Sequence, residues 1–90
     1  MFALPAAVTQ AQAPGVLRQL LKDWPAQGTA HLDASGVQQF DSSTLAVLLA
    51  CEREAQRRGT ALAIDGLPQR LHTLAQVYGV ADFLGLRASA

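Results

Sequence analysis

The sequence predicts an α/β domain: a small, mostly parallel sheet of about four strands with helices packed on it. Three observations carry this. Strand-like and helix-like segments alternate along the whole chain, in the order strand, helix, strand, helix, strand, helix. Helix-like segments carry their own start and stop residues. Ninety residues, half of them hydrophobic and 16% charged, suffice for one core but not two. Alternation of this kind calls for parallel strands joined by right-handed crossovers.

Phe2 to Thr9 reads as a short strand, and Pro5 within it removes a ladder donor, which assigns it to a sheet edge. Residues 1–13 thus hold an edge strand and its connection, within "TQAQAPG". Val16, Leu17, Leu20, Leu21 and Trp24 then recur at helical spacing, with Pro14 near the start and Pro25 as the stop. "TAHLD", Thr29 to Asp33, is the next strand, and "ASGVQQF" reads as a loop.

A second helix is predicted from Ser42 to Arg58. Leu45, Leu48, Leu49 and Ala55 share a face, while Ala46, Val47, Ala50 and Cys51 make its first half apolar nearly all round. Glu54 and Arg58 are spaced for an ion pair, and Gly59 suits a left-handed stop. "TALAID", Thr60 to Asp65, is the third strand. Pro68 is expected at the first position of a third helix, whose Leu71, Leu74, Ala75 and Tyr78 face the core before Gly79 closes it. "VADFLGL" reads as a short docked tail and 87–90 as a frayed end. There is no internal repeat, so residues 1–90 read as one domain.

Composition excludes several functions. Seven basic residues balance seven acidic ones, so the chain lacks the positive footprint of a nucleic-acid binder or of a polybasic membrane-surface patch. The longest apolar run, Leu45 to Cys51, is too short to span a bilayer, and no signal peptide is visible, so no direct membrane insertion is expected. The single cysteine, Cys51, reads as a small buried hydrophobe in a reducing, cytoplasmic setting. His/Cys/Asp/Glu residues with metal-ligand spacing and nucleotide fingerprints are both missing, so no cofactor is expected. A serine hydrolase could draw on Ser42 or Ser43 with His31 and Asp33. It would also need a nucleophile elbow and an oxyanion loop that the sequence lacks. The expectation is a protein without catalytic residues.

The informative stretch is "DSST", Asp41 to Thr44, at the mouth of the second helix. Asp41 or Ser42 is an ordinary N-cap, contributing about 1 kcal/mol. Capping alone does not account for three consecutive hydroxyls, because a helix start offers only a few orphan donors. The alternative is regulatory: a phosphate on Ser43 would be tolerated by the helix N-terminus, yet would add roughly −1.5 to −2 charges to the surface.

At this point the chain resembles a known family. The strand ending in "LD", the loop "SGVQQF", the "DSST" helix opening, the return strand in "RRGTALAIDGLP" and the helix "LHTLAQVYGV" are similar to a STAS domain. The resemblance spans residues 29–84. Two branches of the family imply different partners. Anti-sigma-factor antagonists carry a phosphoacceptor that matches Ser43 and is phosphorylated by a kinase-type anti-sigma factor; the glycine that follows it in them is Thr44 here. The MlaB-type branch, STAS subunits of phospholipid-transport ABC systems, has a similar ending in "TLAQVYGV". Its hydroxyl after the aspartate matches Ser42 and is linked to binding and activating the ATPase subunit.

The second branch is the nearer resemblance. It implies a cytoplasmic adaptor, held at the inner membrane through an ABC ATPase partner. Asp41, Ser42, Ser43 and Thr44 would contact that partner, together with Arg70, Thr73, Gln76 and Val77 of the third helix. Relative to the family, the N-terminal part is short by a strand. That implies an uncovered sheet edge, where a homodimer could pair.

Overall fold

The computed structural model describes residues 2–84; the end of the tail at residues 85 and 86 and the expected frayed end at 87–90 lie outside them. Eight elements follow one another: β1 (Phe2–Ala3), β2 (Ala7–Val8), α1 (Ala13–Lys22), β3 (Thr29–Asp33), β4 (Gln39–Phe40), α2 (Ser42–Arg58), β5 (Ala61–Asp65) and α3 (Gln69–Val77). The alternating α/β order holds, and every described strand pairing is parallel.

The N-terminal strand differs from expectation. Pro5 splits it into β1 and β2, which pair with different neighbours: β1 with β3, and β2 with β4. Gln39–Phe40, expected inside a loop, therefore forms a strand. The result is a three-stranded sheet in the order β1-β3-β5 beside a two-stranded pair β2-β4, in place of one sheet of four. The loop between β3 and β4 leaves the register and rejoins it where Gln38 and Gln39 N–H both donate to the Ala6 carbonyl. As its proline required, β1 lies on an edge.

Periodicity sorts β3 cleanly. Ala30 and Leu32 face the core, while Thr29 and His31 face solvent on the other side of the sheet. The register carries this alternation onto β5, pairing Ala30 with Leu62, Leu32 with Ile64 and His31 with Ala63. Val8, Leu32, Thr44, Leu48, Cys51 and Leu71 are fully buried and form the centre of the core. Burial pushes the Cys51 thiol up to about 12.

The helix ends obey local rules. α2 and α3 close with the same paired bonds. Gly59 N–H donates to the Gln56 carbonyl and Thr60 N–H to Ala55; Gly79 N–H donates to Gln76 and Val80 N–H to Ala75. Both glycines are left-handed, at φ +71° and +74°. Three boundaries shift. α1 ends at Lys22, and Trp24 packs beyond it, stacked on Phe2 and donating from its indole N–H to Thr60 Oγ1 at 3.0 Å. Pro68 is the residue before α3, not its first. Tyr78, expected in the core, is 58% exposed: it caps α3 in helical conformation, its N–H donating to the Leu74 carbonyl at 3.0 Å, but nothing among the described residues covers its ring.

Candidate functional site

The mouth of α2 divides its polar residues between two tasks. Asp41 is extended, at φ −151°, and caps the helix: its Oδ1 accepts the Ser43 N–H at 2.8 Å, while its Oδ2 accepts the Gln10 N–H at 3.4 Å. Thr44 completes the cap in return, its Oγ1 accepting the Asp41 N–H at 3.1 Å. The same hydroxyl donates to the Val8 carbonyl in β2. It stands between the last N–H of the β4 strand path and the last carbonyl of β2, and so bridges two groups that have run out of ladder. Thr44 is fully buried. Expected among the partner-facing hydroxyls, it is a structural residue, and this accounts for one of the three.

Ser42 and Ser43 remain. Neither hydroxyl has a hydrogen-bond partner among the described residues; Ser42 is exposed and Ser43 half-buried. Each opens onto a shallow apolar cleft. Ser42 lines one of about 210 Å³ with Leu45, Ala46, Leu49, Tyr78 and Val80. Ser43 lines another of about 370 Å³, with Ala46, Val47 and α1 residues Ala13, Pro14 and Leu17. Exposed Ala46 belongs to both. It is the low ridge between them, one helical turn beyond the serines. Two unengaged hydroxyls and a small ridge thus lie between two apolar hollows.

Arg70, Thr73, Gln76 and Val77 all lie on the exposed side of α3, opposite buried Leu71, His72 and Ala75. None of them lines the clefts that hold Ser42 and Ser43; the chain just after α3 contributes Tyr78 and Val80 there. Tyr78 and Ala46 are the residues that sequence reasoning missed. Tyr78 sits seven residues after Leu71, a spacing that reads as core as long as the helix continues. Ala46 lies inside an apolar run that gives no hint which member is left uncovered. Val77 is 76% exposed beside Tyr78, so apolar surface continues from the cleft rim onto α3.

The residue types of a hydrolase are not brought together. His31 Nδ1 faces Asp65 Oδ2 at 3.5 Å. Asp33 accepts the Ser35 hydroxyl at 2.6 Å and the Ser35 N–H at 3.0 Å, which hold its carboxyl below the usual range. Among the described residues no group of three or more His, Cys, Asp or Glu could hold a metal ion, and no helix is long and apolar enough to cross a membrane. A further cleft, about 450 Å³ between Ala3–Pro5 and α1, offers no titratable side chain.

Against known proteins, a family model described as Mlab, STAS domain matches residues 3–87. No curated protein matches the chain.

Proposed function

This chain belongs to the STAS domain family, and on that premise we propose that it is the adaptor subunit that binds and activates the ATPase of a phospholipid-transport ABC complex. STAS domains are in general non-enzymatic regulatory domains that act on other proteins. The observation that supports this reading best is the division of labour at the α2 mouth. Asp41 and Thr44 are consumed by the cap, which leaves Ser42 and Ser43 unengaged at the rims of two apolar clefts. Tyr78 and Val77 extend the same surface onto α3, where Arg70, Thr73 and Gln76 form its polar flank. Such a patch, apolar in its middle and polar at its rim, is the anatomy of a protein interface. The partner's position, in turn, would hold the adaptor at the inner membrane from the cytoplasmic side.

The test is co-purification with an ABC ATPase, followed by ATP hydrolysis with and without this protein. Ala46→Glu puts a charge on the ridge between the clefts and should abolish capture. Ser42→Ala should leave capture measurable but lower the stimulated rate. Full stimulation by both variants would sink the proposal.

A second reading rests on the Ser43 hydroxyl itself. Unpartnered and at a helix N-terminus, it can take a phosphate without disturbing the cap, whose bond from residue 43 comes from the backbone. An anti-sigma-factor antagonist would use it so. A phosphate on Ser43 in protein taken from cells, together with a kinase-type partner, would favour that reading.

A further inference from the structure

The three-stranded sheet has two edges of unlike character. β1 is a two-residue strand with Pro5 two residues beyond its end, a blunted edge of the kind that resists pairing. β5 is five residues long, Ala61–Asp65, with no proline, no lysine and no bulge.

Its outward groups can be read from its bonds to β3 and the adjoining chain. Ala61 N–H donates to the Gly28 carbonyl at 3.1 Å, and the Asp65 carbonyl accepts the Ala34 N–H at 2.8 Å. Residues 61, 63 and 65 therefore turn their backbone groups toward β3, and Leu62 and Ile64 turn both N–H and C=O away from it. Among the described residues no hydrogen bond reaches those groups.

We infer that the β5 edge pairs with a second copy of itself, antiparallel, about a two-fold axis at Ala63. That register follows from the chemistry of the strand. An antiparallel pair in which Leu62 faces Ile64 of the other copy is a bonded pair exchanging both hydrogen bonds. The two-fold repeats it, so every outward group on both strands finds a partner. At the centre Ala63 meets Ala63, at the non-bonded position where Cα atoms approach to about 4.5 Å and small side chains fit best.

Charges agree as well. Asp65 would face Ala61 of the other copy and not a second aspartate, so no like charges oppose. On the core side, half-buried Leu62 and Ile64 would each gain an apolar neighbour across the seam. The contact is short, so the dimer is weak, with a dissociation constant of order micromolar or above. No β5 residue lines the clefts at the α2 mouth, so this inference and the ATPase reading fail independently.

The register makes a test that a nonspecific association would not pass. Sedimentation velocity of the purified protein from about 1 to 500 µM should show a monomer–dimer equilibrium; these concentrations bracket the weak-interface range. Ala63→Lys places like charges against each other on the axis, on the solvent face of the sheet, and should weaken the dimer about 5-fold or more. Ala61→Lys sets a cation opposite each Asp65 and should tighten it by a similar factor or more. Circular dichroism melts of both variants establish that the monomer fold is intact. A monomer at every concentration overturns the inference, as does a dimer that both lysines shift in the same direction or that neither shifts.

Discussion

Replacing Thr44 with valine keeps the shape of the side chain and removes only the hydroxyl that bridges Asp41 and Val8. The structure sets the cost. Two backbone groups lose their partner together: the part-buried Asp41 N–H, which donates to Oγ1 at 3.1 Å, and the buried Val8 carbonyl, which accepts from it. Leaving one buried polar group unsatisfied costs about 1–3 kcal/mol. Asp41 is only half-buried, so water recovers part of its share. The two together should cost about 2–4 kcal/mol, a large fraction of the roughly 5–15 kcal/mol that holds a domain folded. At this chain length that corresponds to a fall in Tm of about 10–25 °C.

Urea and thermal unfolding followed by circular dichroism measure it directly. Thr44→Ser, which keeps the hydroxyl and loses a methyl, should fall by only about 1 kcal/mol. Ser42→Ala and Ser43→Ala should stay within about 0.5 kcal/mol of the native protein, since they break no bond of the cap. If valine and serine at position 44 are equally damaging, packing and not the bridge explains the residue. If Thr44→Val is as mild as the two serine variants, the division between structural and surface hydroxyls is wrong.

Other expectations concern single features. Gly66→Ala should destabilise by about 2–4 kcal/mol in urea titration, because φ is +70° and a Cβ there would lie 2.8 Å from the Ser35 Cβ. Cys51 should resist thiol reagents in the native protein and react at the rate of unfolding. Its folded thiol is pushed from 9.0 to about 12, so the unfolded state loses that proton first. Stability should therefore fall as pH rises from about 9 toward 12, and Cys51→Ala should flatten that limb of the stability profile. Glu54 behaves in the opposite sense. Hydrogen bonds from Arg57 and then Arg58 hold its carboxyl down at about 2. Its contribution is present above the ordinary value of 4.5 and is lost as pH falls toward 2, so Glu54→Gln should remove that part of the acid limb.

Much of the fold was legible because its signals are local. The left-handed stops at Gly59 and Gly79, the Asp41 cap, the pairing of Glu54 with Arg58 and the core face of α2 each depend on residues within one or two helical turns. The alternation of β3 could be read for the same reason. The N-terminal strand was not legible in this way. β1, β2 and β4 are two residues each, too short to carry a period, and they exist only because β3 and its following loop lie alongside.

The candidate site divides along the same line. A run of hydroxyls at a helix mouth, and the family it resembles, were visible in the chain, and so was the choice among Asp41, Ser42, Ser43 and Thr44. Which hydroxyl is structural was decided by Val8, thirty-six positions away, whose carbonyl accepts a hydrogen bond from Thr44. Whether Tyr78 is core or rim was decided by what the rest of the chain packs against the end of α3, and whether Ala46 is covered by how far α1 and the end of α3 stand from it. Local order follows from short-range bonding that sequence spacing encodes. Exposure is a property of what the rest of the chain leaves uncovered, and only the assembled fold determines that.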